Sequence, residues 1–361
     1  MPEKKHILFI AYTFPPDKKV GALRIAYWND ELSSKYPCET EVITAEQNAQ
    51  GSGIHYVPME GSSSLSALIK DEGLIWKKNV QSYLEQSNLQ PDFVVITGGP
   101  FMQFRLTKWL KKRFNCKVIL DYRDPFADNP GYANSGIKKA IKKFFERKFN
   151  RAADALLTVN KYCGDLVVDF HSKSNAIIQN GYDERVSINS KPVELGKSSS
   201  FSYTGKLYFD PGPMAEAFKA ANLQLTYAGG NSDQLAAYPH IESLGFVHYE
   251  EAQKLVATKD VGVIQTLGMA FQSTTKIFDY LRFKRAILII SNKDIAVGSM
   301  KDELENYPNV FWAKNTVSDI SSALEEIKIS SYEEPNDEFA LRNSRGRQME
   351  GLIKLLRELE A

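Results

Sequence analysis

Cysteine is scarce. Cys38, Cys116 and Cys163 are the only three, they lie far apart, and none forms a Cys-x-x-Cys pair, which argues against a disulfide framework and a structural zinc site. Five scattered histidines add no metal-ligand spacing, so no metal is expected. No apolar run approaches the length of about 18 residues that a membrane-spanning helix needs. The opening Met1-Pro-Glu-Lys-Lys-His6 enters an apolar strand directly, with no signal-peptide core, and the protein is expected to stay in the cytosol. An excess of one charge is also missing, since the net charge is +1. No basic stripe is interleaved with aromatics, and no recognition-helix or zinc-finger pattern occurs, so nucleic acid is not an expected partner. No Gly-x-Gly-x-x-Gly follows the first strand, which weakens a nicotinamide dehydrogenase.

What is present is ordinary for a soluble enzyme: 43% apolar and 25% charged residues over 361 positions. That length suits two domains of about 150–200 residues better than one core. The balanced charge is unevenly spread. Residues 1–180 hold 25 Lys and Arg against 19 Asp and Glu, and the remainder 20 against 25. The more basic half suggests an anionic partner or a membrane surface.

Apolar, β-branched runs at 5–12, 92–97, 117–120 and 155–159 read as buried parallel strands, each followed by a helical pattern. A polar Gly/Ser stretch at 51–64 reads as a surface loop, and 65–87 and 101–114 as single helices. The polar segment 184–200 suits a linker, after which the alternation resumes with strands at 201–203, 224–228, 245–248, 261–265 and 286–291. The expected class is α/β, with doubly wound parallel sheets covered on both faces. The expected division is an N-terminal domain 1–183, a second domain 184–336, and a C-terminal helix 337–361 packing back on the first domain.

Ligands of such sheets sit at the carboxyl ends of the strands. There the first domain places the Pro-containing loop that ends at Gly21, the Gly98-Gly99-Pro100 turn and the run Asp121-Tyr-Arg-Asp-Pro-Phe-Ala-Asp128. Each alone also reads as a plain β–α turn. In the second domain, 272–281 reads as the helix of a β–loop–α–β unit. Ser273, Thr274 and Thr275 at its start are expected to cap free N–H groups, and Lys276 adds positive charge where a phosphate or diphosphate could sit. Asp279, one turn on, could accept from ribose hydroxyls. A capped crossover helix facing solvent is the alternative. Between 136 and 151, Ile137, Ile141, Phe144, Phe145 and Phe149 recur at helical spacing while Lys138, Lys139, Lys142, Lys143, Arg147, Lys148 and Arg151 fill the other side. This basic amphipathic helix could face an anionic leaflet, pack its apolar stripe on a core, or both.

Taken together, these segments resemble the GT-B glycosyltransferases, in particular the large retaining family 4 of bacterial envelope-sugar enzymes. Phe14-Pro-Pro with Gly21 and Arg24 looks like the family's N-terminal Pro-Pro…Gly…Arg loop. Thr97-Gly-Gly-Pro100 and Asp121-Tyr-Arg-Asp-Pro-Phe126 are similar to its Gly-Pro and Asp-x-Arg-Asp-Pro-Trp segments. Asn180-Gly-Tyr-Asp183, Tyr203-Thr-Gly-Lys206 and Lys276-Ile-Phe-Asp-Tyr-Leu281 complete the series in order.

The resemblance implies two Rossmann-like domains facing across a cleft. It implies a nucleotide-sugar donor held mainly by the second domain and a saccharide or lipid-linked acceptor at the first, with no cofactor. Gly205 and Lys206 should face the diphosphate with Ser273, Thr274, Thr275 and Lys276, Gly21 should close over it, and Asp279 should take the ribose. The base is expected near Phe246, Val247 and His248. Arg24, Gly99, Arg123 and Asp124 should meet the sugar or acceptor, with Asp124 the acid/base or orienting candidate and Lys206 and Lys276 assisting departure of the diphosphate. The chain departs from the family where Phe271 stands eight positions before Asp279 in place of an acid, and where the second acid is Asp rather than Glu. A sugar-nucleotide 2-epimerase and a catalytically inactive sugar-nucleotide-binding partner stay open as alternatives.

Overall fold

The computed structural model describes residues 4–131, 136–294 and 298–361; the opening residues 1–3, read above as leading straight into the first strand, lie outside it. The chain separates into two units, one of Met1–Asn180 with Arg345–Ala361 and one of Gly181–Ser344. Unit 1 carries a seven-stranded, wholly parallel sheet in the order β3-β2-β1-β4-β5-β6-β7. Its strands are β1 (Lys5–Ile10), β2 (Cys38–Thr44), β3 (Ile54–Tyr56), β4 (Phe93–Thr97), β5 (Lys117–Tyr122), β6 (Ala155–Thr158) and β7 (Ser174–Ile177). Unit 2 carries a six-stranded parallel sheet in the order β10-β9-β8-β11-β12-β13. These are β8 (Phe201–Thr204), β9 (Leu225–Ala228), β10 (Ile241–Ser243), β11 (Val261–Thr266), β12 (Ala286–Ser291) and β13 (Val310–Lys314).

Every residue of β4, β6, β8, β9, β11 and β12 is buried. Helices on both faces of a parallel sheet leave no wet side, so the strands read as unbroken apolar runs rather than alternating ones. In each sheet the chain first builds outward in one direction and then returns to build in the other. The reversal falls between β1 and β4 in unit 1 and between β8 and β11 in unit 2, and at such switch points the loops leaving the strands diverge and open a crevice.

Several elements differ from the sequence expectation for identifiable reasons. The Gly/Ser stretch hides β3, which pairs Ile54–Tyr56 with Val42–Thr44 at the sheet edge. The helix expected over 65–87 is two, Ser64–Ile69 and Gly73–Gln86, parted at Lys70 in the left-handed conformation. The break is fixed by Asp71, whose carboxylate accepts from the backbone N–H of Gly73 (3.0 Å), Phe101 (2.8 Å) and Met102 (3.1 Å). Similarly, 337–360 is a short helix Asp337–Leu341 in unit 2 and a long one, Arg345–Glu360, in unit 1. The long helix buries Met349, Leu352, Leu355 and Leu356 in the same cluster as Ile7, Phe9, Trp28 and Leu32.

The helix Gly136–Ala152 does not turn its whole expected apolar stripe inward. Phe149 is buried and Ile141 and Phe145 partly so, but Ile137 and Phe144 are 76% and 53% exposed, and Lys142 and Glu146 go inside instead. The buried positions are 142, 146, 149 and 150, a stripe rotated from the one the aromatics suggest.

Candidate functional site

In unit 2 the candidate site lies at the β8/β11 reversal. β8 ends in Gly205, whose φ of +112° is open to glycine and strained for other residues. Lys276, from the element following β11, lies against it. A Cβ built on Gly205 would stand 2.3 Å from the Lys276 Cε and 2.5 Å from its Nζ. Gly229, at the exit of β9, is equally constrained, because a Cβ there would meet the Gly205 carbonyl oxygen at 1.9 Å. That oxygen accepts from the Tyr227 hydroxyl at 2.7 Å, and the Gly205 N–H donates to Ala228 at 2.7 Å. Two glycines and a tyrosine thus hold the β8 turn where an ammonium can rest on bare backbone.

Burial lowers the pKa of the Lys276 ammonium from its ordinary value, with the Asp279 charge opposing the shift. A partly desolvated cation gains from an anionic ligand, which replaces the water it has lost. Asp279 is itself held in place: its carboxylate accepts from the Gln253 amide (3.0 Å) and the Tyr249 hydroxyl (3.3 Å), while Gln253 also donates to Tyr249 (2.8 Å). Tyr249 and Gln253 were not foreseen. The signal was present in the helix Tyr249–Thr258, where Gln253 is a polar side chain on the buried stripe completed by Val256 and Ala257.

The start of the 272–281 helix differs from expectation. It begins at Lys276, and Thr275, its N-cap residue, adopts helical angles and makes no side-chain cap. The Ser273 hydroxyl does not cap either, because it donates to the buried Glu303 carboxylate at 2.8 Å, which also takes the Ser299 hydroxyl at 2.7 Å. Thr274 is buried, and Phe271 is buried where the family pattern would put an acid. Lys206 is exposed, and its carbonyl accepts from Tyr203 at 2.5 Å. The strand expected at 245–248 lies earlier, as β10, leaving Phe246 (80% exposed), Val247 and the exposed His248 in the connection to Tyr249–Thr258.

In unit 1, Gly21, Gly99 and Arg123 converge at the β1/β4 reversal. Gly21 sits in the first turn of the helix Val20–Lys35 rather than in the preceding loop. The Arg123 guanidinium occupies the space over it, its Nη1 1.8 Å from where a Cβ would stand. Arg123 donates to the Gly98 carbonyl at 2.6 Å, and Gly99, at φ +80°, borders the same guanidinium. Gly21 therefore admits Arg123, which takes up the room expected for closure over phosphates.

Arg24, expected to meet sugar or acceptor, is 2% exposed and committed inside the unit. It donates to the Ile178 and Gln179 carbonyls (2.8 and 2.9 Å) and to the Asp121 carboxylate (3.2 Å), which also takes the Thr97 hydroxyl (3.1 Å). Asp124 reaches solvent yet is closely surrounded by protein, and this partial desolvation raises its pKa against the opposing charge of Arg123.

The same rim holds a cavity of about 1040 Å³, bounded by the loop after β1, the Ser64–Ile69 helix, the Gly99–Phe101 turn and the start of the helix Gly136–Ala152. Asp71, Glu72, Lys70, Lys138 and Lys142 line it, and of the residues expected to meet donor or acceptor only Gly99 does. Among the described residues, no group of three or more His, Cys, Asp or Glu side chains is placed to hold a metal ion, and no helix is long and apolar enough to cross a membrane.

No family model matches the chain, and no curated protein matches it. Solved structures do. A lipopolysaccharide outer core galactosyltransferase, WaaB, in its apo form is 12% identical, with a TM-score of 0.65 over 98% of this chain and 99% of that one. The N-terminal domain of Candida albicans trehalose-6-phosphate phosphatase is 12% identical, with a TM-score of 0.68 over 98% and 97%. Arabidopsis thaliana UGT89C1 complexed with UDP-L-rhamnose is 12% identical, with a TM-score of 0.55 over 99% of both chains. At such identities the likeness is one of architecture: this chain has the GT-B fold, built from two Rossmann-like parallel-sheet units.

Proposed function

We propose that this protein is a glycosyltransferase that moves a sugar from a nucleotide-diphosphate-sugar donor to a saccharide or lipid-linked acceptor, with retention of anomeric configuration, in cell-surface polysaccharide assembly. The observation that carries the reading is the Lys276 ammonium resting on Gly205 at the β8/β11 reversal of unit 2. As the glycosidic bond breaks, the diphosphate gains negative charge, and a preorganised, partly desolvated cation stabilises it more than water does. Lys206 at the mouth adds a second cation, and no metal is required when lysines supply the charge. The ribose goes to Asp279, oriented by Gln253 and Tyr249, and the exposed ring of Phe246 offers a face for the base.

Retention needs no covalent enzyme intermediate here. The acceptor hydroxyl attacks from the face the diphosphate leaves, giving its proton to the departing phosphate oxygen, and Asp124 is the carboxylate we assign to the acceptor. Among similar structures, one is a lipopolysaccharide outer core galactosyltransferase and another is complexed with UDP-L-rhamnose, which supports a nucleotide-sugar donor.

Thermal stabilisation by a panel of nucleoside diphosphates tests the donor site, with about 2.7 kcal/mol expected at a hundredfold excess over Kd. A shift with one nucleotide, lost in Lys276→Ala, supports the reading, and no shift with any removes it. Buried Phe271 and the engagement of Ser273 with Glu303 favour as second reading an inactive sugar-nucleotide-binding partner. Release of nucleoside diphosphate only when acceptor is added separates transfer from both that reading and a 2-epimerase.

The protein also docks, on this proposal, at the inner face of the cytoplasmic membrane through the helix Gly136–Ala152. Ile137 and Phe144 stand exposed there among Lys139, Arg147, Lys148 and Arg151, and each basic residue near an anionic surface contributes about 1 kcal/mol. Flotation with anionic and with neutral liposomes measures this; equal, negligible binding to both excludes it.

A further inference from the structure

The unit 1 cavity is unusual in the sign of its lining. Its acids are engaged internally. The Asp71 carboxylate takes the three backbone N–H groups that break the 64–86 helical region, and Glu72 takes the Tyr12 hydroxyl at 3.0 Å. Two of its lysines are less committed. Lys19 pairs with Asp17 at 2.9 Å and Lys142 lies in the field of Asp71, its ammonium 5.1 Å above the Phe126 ring. The side chains of Lys70 and Lys138, by contrast, have no hydrogen-bond or ion-pair partner among the described residues.

From this lining we infer that the cavity binds an acidic sugar, one bearing a phosphate or carboxylate, with Lys70 and Lys138 around the anion. The volume of about 1040 Å³ accommodates a sugar together with its charged substituent. Ammonium groups on flexible stems suit a compact anion, and they converge here from two separate elements, the turn at Lys70 and the helix Gly136–Ala152. Carboxylates of Asp71 and Glu72 remain beside them as acceptors for sugar hydroxyls. On the transfer reading above, on which only the word acceptor rests, this ligand is the acceptor.

The test is calorimetric titration of the full chain with glucose 6-phosphate, glucuronate and glucose. At least tenfold tighter binding of the two anions than of glucose is expected. Lys70→Gln and Lys138→Gln, both changing accessible side chains, should each weaken anion binding about three- to tenfold and reduce its salt dependence, with UDP binding unchanged. Vesicles of phosphatidylinositol against phosphatidylglycerol, at equal surface charge, tell the source: preference for the inositol headgroup marks a lipid-borne ligand, and no preference alongside glucose 6-phosphate binding marks a soluble one. Equal affinity for glucose and glucose 6-phosphate, no binding of any probe, or an anion preference that survives both substitutions overturns the inference. Glucose 6-phosphate binding without nucleoside diphosphate binding would remove the transfer reading and leave this site standing, and the reverse result would do the opposite.

Discussion

Replacing Gly205 with alanine probes the contact on which the proposed donor site depends. The new Cβ would stand 2.3 Å from the Lys276 Cε and 2.5 Å from Nζ, and the lysine, a flexible side chain, would yield before the backbone does. Two costs follow. Alanine at φ +112° strains the turn by about 1–3 kcal/mol, which for a unit of this size lowers Tm by roughly 3–10 °C. The displaced ammonium also loses its charge-assisted hydrogen bond to a diphosphate, worth about 1.5–3 kcal/mol, so UDP affinity should fall about 10- to 150-fold.

Lys276→Met separates the two effects. It leaves the glycine conformation untouched and removes a cation whose pKa burial has lowered, so stability should hold or rise while UDP affinity falls by a similar factor. The pH dependence has a definite sign. A diphosphate binds the protonated amine, so affinity falls as pH rises through the lowered pKa, earlier than an ordinary lysine would allow. Calorimetry with UDP and thermal denaturation on the two variants and their combination provide the measurement. If Gly205→Ala binds UDP at wild-type affinity, or if Lys276→Met destabilises as much as Gly205→Ala, the donor reasoning is wrong.

Two other substitutions report on buried charge. Arg24→Met leaves the fully buried Asp121 carboxylate without its cation and should cost about 3–5 kcal/mol in urea unfolding; a loss below about 1 kcal/mol would mean Arg24 is not a structural residue. For Glu146, burial, seconded by the Asp128 charge, pushes the carboxyl up from 4.5 to about 8. The unfolded chain gives up this proton first, so between those two values stability should fall as pH rises, by at most about 1.4 kcal/mol per pH unit. Glu146→Gln should remove that slope and match the wild type below pH 4.5; equal slopes in the two proteins across that interval refute the assignment.

The α/β architecture was legible because strands buried on both faces leave long apolar runs, as Phe93–Thr97 and Ala286–Ser291 do. The edge strand Ile54–Tyr56 was not, because it is short, half-exposed and embedded in Gly and Ser. Gly205 was named on the family resemblance and Lys276 on its place at a helix start, and the structure sets the one against the other. That Ser273 bonds Glu303, thirty positions away, or that Arg24 bonds Asp121, is a matter of which groups tertiary packing brings together, and no local pattern encodes it. The rotated face of the helix Gly136–Ala152 has a similar origin. Phe144 and Glu146 are nearly opposite on the helix, and the side carrying the acid is the one buried.

The return of the chain to unit 1 through Arg345–Glu360 has a consequence for biosynthesis. A nascent chain that has completed β1 to β7 still lacks the helix whose Met349, Leu352, Leu355 and Leu356 close the cluster around Ile7, Phe9 and Trp28. Burying four such side chains is worth roughly 6–12 kcal/mol, comparable with the whole stability of a typical domain. The first unit begun is therefore the last finished. All of Gly181–Ser344 must be translated before the waiting apolar face is covered, and during that interval the half-built sheet depends on chaperones, or on the second unit folding quickly, to avoid associating with other chains.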